Sequence, residues 1–238
     1  MKHLYESIFD DDIVTRKADP EEYIREWINN NYIHTKEQLK IKKDKGKYKV
    51  TIFDAYVKNK NITSLTNGLF EFEKCMYCFN CSNCPKLKSL EGAPKEVRGD
   101  FICNDCTSLK TLEGAPNEVE DSFSCQGCNI ISLEGTPKQI GADFDCSDCE
   151  KLKTLKHGPT YVGGWYYCEN CISLKTLEGA PEKVMRGFDC SGCKNLISLE
   201  GAPFFVGRDF ICNNCPKIKN AYEELSKCII RGKIRDLK

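Results

Sequence analysis

The segment DFICNDCTSLKTLEGAP, residues 100–116, decides the fold, because it is one copy of a unit that recurs through about two thirds of the chain. Paired cysteines open each copy at Cys81/Cys84, Cys103/Cys106, Cys125/Cys128, Cys146/Cys149, Cys168/Cys171, Cys190/Cys193 and Cys212/Cys215. The first cysteines lie 22, 22, 21, 22, 22 and 22 residues apart. A fixed period of this length marks a solenoid, in which each turn buries its apolar face against its neighbours.

The columns of the unit locate its interior. An aromatic ring stands two residues before each first cysteine (Phe79, Phe101, Phe123, Phe144, Tyr166, Phe188, Phe210), and strand alternation puts ring and cysteine on one face. Leucine or isoleucine pairs follow, from Leu87/Leu90 to Leu196/Leu199, then Gly-Ala-Pro or a close variant. Val97, Val119, Ile140, Val162, Val184 and Val206 complete the inward set. The 21-residue copy loses its residue between Cys128 and Leu133, which reads as a loop adjustment.

These columns resemble the leucine-rich repeat, L-x-x-L-x-L followed by x-x-N/C-x-L, with Phe101-x-Cys103-x-x-Cys106 standing for L-x-L-x-x-N/C. The unit is similar to that of short leucine-rich-repeat proteins of bacteriophages and bacteria, over about residues 50 to 220. The resemblance implies an α/β-type solenoid with one short parallel strand per 21–22-residue turn, serving as a partner-binding scaffold. In a phage setting it implies capture of a host defence or regulatory protein.

The expected organisation is a helical N-terminal region at 1–46, the repeat array at 47–220, and a C-terminal capping helix and tail at 221–238. Asp19-Pro20-Glu21-Glu22 reads as a helix start, with Tyr23, Ile24, Trp27 and Ile28 on one face to cover the first turn. A capping-box pattern at Thr35–Gln38 predicts a second short helix around Leu39, followed by a solvated charged connector from Lys40 to Lys47. Alternating Tyr48, Val50 and Ile52 predict a strand. Asn61–Gly68 reads as a degenerate first repeat, with Tyr56 and Asn59 at its two cysteine positions.

Lysine plus arginine and aspartate plus glutamate both number 35, which gives no global pull toward nucleic acid or an anionic membrane. Asp10, Asp11 and Asp12 stand where a signal peptide needs an apolar run, so the chain is expected in the cytoplasm, with no membrane partner. The 17 cysteines are therefore read as reduced thiols. Stacked C-x-x-C pairs have the spacing for zinc, but their place on core columns favours small buried side chains, and neither metal nor cofactor is expected. His3, His34 and His157 are widely separated and form no nucleophile–base motif, which argues against an enzyme.

Function is expected on the varying outward positions beside the aromatic column. The candidate partner-binding residues are Asp100, Ile102, Asp143, Asp145, Trp165, Tyr167, Asp189, Asp209 and Ile211, with Ser122, Ser124 and Gly187 in equivalent places. Trp165 and Tyr167 among aspartates look like a hot spot for a protein with a basic patch. The alternative is a nucleic-acid or zinc-binding module using the C-x-x-C pairs or the lysine row Lys86, Lys88, Lys110, Lys151, Lys153, Lys175 and Lys194. The nucleic-acid form gains weight if Leu-Lys-Thr-Leu, rather than Asp-Phe-x-Cys, is the presented strand.

Overall fold

The structure is a computed structural model, and it describes residues 19–35 and 39–235. The chain coils into a β-solenoid whose turns build two ten-stranded sheets among the described residues. The front sheet holds the Phe-x-Cys strands, such as Phe101–Ile102, Phe123–Ser124, Phe144–Asp145 and Tyr166–Tyr167. The rear sheet holds the segments around the valine column, such as Glu118–Val119, Gln139–Ile140 and Lys183–Val184. Each turn thus supplies two short parallel strands, which corrects the expectation of one. Phe123 pairs with Phe101 on one side and Phe144 on the other, and like aligns with like along the array.

Backbone hydrogen bonds between turns hold this register: the Phe101 N–H donates to the Ser122 carbonyl at 2.9 Å, and the Cys103 N–H to the Ser124 carbonyl at 2.8 Å. Inside, the aromatic column is fully buried, with successive ring centroids 5.0–5.8 Å apart from Phe79 to Phe210. The leucine pairs and the valine column are also buried. Each such side chain contributes roughly 1.5–3 kcal/mol on burial, so the repeated columns supply a continuous core.

The turn after the front strand has a local cause. The residue before each second cysteine takes a positive φ, at Asn83, Asp105, Gly127, Asp148, Asn170, Gly192 and Asn214. Only asparagine, aspartate and glycine occur there, the residues that tolerate left-handed backbone. Beyond it, the Leu-x-x-Leu segments form the side that joins the two sheets, and their lysines point into solvent.

Helix Pro20–Asn31 forms as expected, with the Glu21 N–H donating to Asp19 Oδ1 at 3.1 Å. Its Ile24 and Ile28 are buried in one cluster with Phe70, Phe72 and Phe79; Trp27 is partly buried and Tyr23 exposed. The second expected helix begins at residues outside those described, and its continuation is different: Lys40–Asp44 is a strand, antiparallel to Lys47–Ile52 across a Lys45-Gly46 turn with both φ positive. The edge of the rear sheet offers unpaired backbone groups, and pairing with them makes a strand of this lysine-rich run, which was expected as a solvated connector. In the degenerate first repeat Ala55 pairs with Phe79 and Tyr56 with Asn80, so Val57 rather than Tyr56 takes the first cysteine's inward place. Val57 is buried and Tyr56 exposed, a one-residue slip that exchanges the two faces.

At the other end, the expected capping helix is reduced to Ala221–Glu224 and a following 3-10 turn, Leu225–Lys227. With Ile218 and Ala221 at the two leucine positions, these stand where the other turns carry the Glu-Gly-Ala-Pro corner, and so lie within the coil rather than closing it. The Glu224 carboxylate accepts the Leu199 N–H, where the preceding turn uses the Glu200 carbonyl for Leu177. The chain then returns to strand, Ile229–Ile230 extending the rear sheet and Ile234–Arg235 the front. Among the described residues no helix is long and apolar enough to cross a membrane.

Candidate functional site on the front sheet

The nine candidate residues all lie on the outward columns of the front sheet. Ile102, Asp145, Tyr167, Asp189 and Ile211 share one register column, and Asp100, Asp143, Trp165 and Asp209 flank it. Neighbouring strands are about 4.8 Å apart, so the fold gathers Asp143, Asp145, Trp165, Tyr167 and Asp189 into one patch, in which Asp189 is buried and the other four are half-exposed. It leaves Asp100 and Ile102 roughly 14 Å up the array, and Ile211 roughly 10 Å below Tyr167.

At the centre of the patch the Trp165 and Tyr167 rings stack face to face, centroids 5.6 Å apart and planes within 8°. Both side chains are half-buried. The indole lies across Gly187 of the next turn, where an added Cβ would fall 2.1 Å from the ring. Glycine at that place lets the ring lie flat on the sheet. The Trp165 N–H donates to Asp143 Oδ1 at 2.7 Å, which ties the aromatic pair to the turn above.

Several aspartates have a structural task beyond their charge. Asp100 accepts the Ser122 N–H at 3.0 Å, and Asp209 accepts the Lys233 N–H at 2.8 Å and the Arg235 Nε at 2.6 Å. Those bonds hold the Asp209 carboxyl below the usual carboxylate range. Asp145 and Asp189 each accept the N–H two residues on, from Ser147 and Ser191. One oxygen of each carboxylate is thereby occupied, and among the described residues no cation lies within ion-pair distance of Asp143, Asp145 or Asp189.

The negative field of the patch shows in its ionisations. The Tyr167 hydroxyl is pushed up first by burial, then by Asp143, Asp145, Glu169 and Asp189. Glu169 is likewise pushed up, first by burial, then by Asp189, Asp145 and Asp148. Glu169 was missing from the candidate residues, and Gly187 stood among the equivalent outward places without a role. Glu169 is the next outward position after Tyr167, so extending the alternation one place past the first cysteine finds it; nothing in the sequence shows the indole lying on Gly187.

The cysteine columns form a different kind of ladder. From Cys106 onward the second thiol of each pair donates to the carbonyl of the preceding turn's first cysteine, as in Cys106 to Cys81 at 3.2 Å, Cys128 to Cys103 at 3.1 Å, and Cys171 to Cys146 at 3.2 Å. A buried backbone acceptor is satisfied at each step, which gives the thiol a structural role. Four of the first thiols are pushed up in pKa: Cys103 and Cys125 by the neighbouring thiol and then burial, Cys146 and Cys168 chiefly by burial. No group of three or more His, Cys, Asp or Glu among the described residues is placed to hold a metal ion.

Comparison with family models, with curated proteins and with solved structures finds no match to this chain.

Proposed function

We propose that this chain is a non-enzymatic scaffold that binds another protein through the front sheet, with Trp165 and Tyr167 as the anchor. The observation that carries the proposal is the half-exposed parallel stack of the two rings on a rigid sheet, surrounded by carboxylates without a cationic partner. Flat aromatic surface held in place binds with little loss of side-chain entropy. The surrounding acids select an arginine- or lysine-bearing surface. The same charge opposes a polyanion, which weighs against a nucleic-acid ligand on this face.

The repeat's resemblance to leucine-rich-repeat proteins of bacteriophages and bacteria extends the proposal. The partner is then a host defence or regulatory protein, met in the cytoplasm and inhibited by occupation of its basic surface.

The test is a capture experiment from host lysate with wild type and with Trp165→Ala/Tyr167→Ala. The double variant is expected to lose the captured protein while its thermal midpoint stays close to wild type. Unchanged capture at unchanged stability would move the binding surface elsewhere.

A further inference from the structure

The rear sheet divides into two halves of different chemistry. In the first turns its charges are matched in pairs: Lys42 with Glu73 at 2.8 Å, Lys47 with Glu71 at 2.7 Å, Lys74 with Glu96, and Arg98 with Glu120 at 3.8 Å. In the last turns the matching stops. Lys183, Arg186, Arg208 and Arg231 are exposed, and among the described residues no carboxylate lies within ion-pair distance of them.

The same turns set exposed apolar side chains beside these cations, whereas the exposed rings of the first turns, Phe53 and Tyr77, stack on each other. Tyr161, Phe205 and Ile229 share one outward column, set by the pairing of Tyr161 with Lys183, Lys183 with Phe205, and Phe205 with Ile229. Met185 and Phe204 lie beside it, Phe204 with 58% of its surface exposed. The Arg231 guanidinium stands 5.4 Å from the Phe205 ring centroid, which joins the cationic and apolar parts into one surface. Apolar side chains clustered in this way mark an interaction surface.

This surface complements the front patch in charge and in character. Cations and exposed rings lie on the rear; unpaired carboxylates and stacked rings lie on the front. The two also match in position and size. The rear column runs three register steps, roughly 14 Å, and the front patch from Asp145 to Asp189 runs two, roughly 10 Å, in the same turns of the coil.

We propose that the rear face of the last turns binds the front acidic–aromatic patch of a second copy of this chain. The proposal rests on the front-face reading above and names a partner for it. Arg186 and Arg208 meet Asp143, Asp145 and Glu169, while Phe204 and Met185 cover the Trp165 indole. Because one face meets the other, a pair of copies keeps one free front, on one copy, and one free rear, on the other. The contact is heterologous and extends to an open row of copies at high concentration.

Sedimentation velocity on the full chain tests this, from about 1 to about 200 µM at low salt. Wild type is compared with the front variant Trp165→Ala/Tyr167→Ala and the rear variant Phe204→Ser/Arg208→Glu. Glu169→Lys serves as a second front variant that leaves both rings in place. Wild type is expected to grow in mass with concentration and to weaken roughly tenfold as salt rises from about 50 to about 500 mM. Each variant alone stays monomeric, and an equimolar mixture of front and rear variants forms dimers and nothing larger.

Wild type that remains monomeric throughout overturns the proposal and leaves front-face binding of another protein to be decided by the capture experiment. A mixture that fails to pair, or variants that associate like wild type, also overturns it. Monomeric wild type that binds vesicles of phosphatidylserine and phosphatidylcholine, with binding lost only in the rear variant, reassigns the rear patch to an anionic lipid surface.

Discussion

Replacing Tyr166 with phenylalanine is expected to stabilise the protein, against the usual direction of core substitutions. Tyr166 is the one phenol in a column of phenylalanines, fully buried, with the Phe144 and Phe188 centroids at 5.0 and 5.1 Å. Its hydroxyl has no hydrogen bond of good geometry, and the Cys146 thiol beside it is a weak partner at most. Burial, followed by the nearby Cys146 and Cys168 thiols, pushes its pKa well above that of an ordinary tyrosine. A buried hydroxyl left unsatisfied costs about 1–3 kcal/mol. Removing the oxygen opens a void of about 10–15 Å³, which returns only about 0.3 kcal/mol of destabilisation. The ring stack is unchanged, so the net gain is about 1–2 kcal/mol, or a few degrees in a chain of this size. Urea unfolding measures it as a higher midpoint at unchanged slope, the slope serving as the check that the array still unfolds as one unit. Phe188→Tyr in the same column should cost a comparable amount. A lower midpoint for Tyr166→Phe would refute the reasoning and show that the hydroxyl has a partner, such as an enclosed water.

Three further outcomes follow from the same packing. Phe144→Ala should cost about 3–5 kcal/mol in urea unfolding, since it removes a ring stacked on both sides; a negligible loss would mean the inward column is misassigned. Alkylation of the native protein should modify the half-buried Cys215 and Cys228 first, and reach Cys103, Cys125, Cys146 and Cys168 only on unfolding, as read by mass spectrometry of digested protein. The Glu71 carboxyl is held down to about 2 by Lys47 and Lys49, against an ordinary value of 4.5. Its contribution is therefore present above about pH 4.5 and lost as pH falls toward 2. Glu71→Gln should then cost up to about 1 kcal/mol at neutral pH after allowance for solvent screening, and the difference should shrink as pH falls from about 4.5 through 2.

Much of the interior was legible because a solenoid repeats its evidence. Phe101, Cys103, Leu109, Leu112 and Val119 each recur in register, and all are buried. The second strand was not legible, since Glu118–Val119 is two residues long and sends one side chain inward, too little for an alternation to show. Lys40–Asp44 was misread as a solvated connector because its run of charges is a local signal, whereas its strand state comes from pairing with Lys47–Ile52. The front patch was legible as residue types at outward positions. The bonds that organise it were hidden, because the Asp143 carboxylate serves Trp165, a residue 22 places on, and that relation exists only once the turns are stacked.

The central claim is that binding occurs on the front sheet rather than on the lysine-bearing side or the first turns of the rear sheet. Photo-crosslinking residues placed singly at Ser124, Lys110 and Glu118 sample these three surfaces on adjoining turns. Binding at the front predicts partner adducts from position 124 and none from 110 or 118. Adducts from position 110 or 118, with position 124 silent, would contradict it.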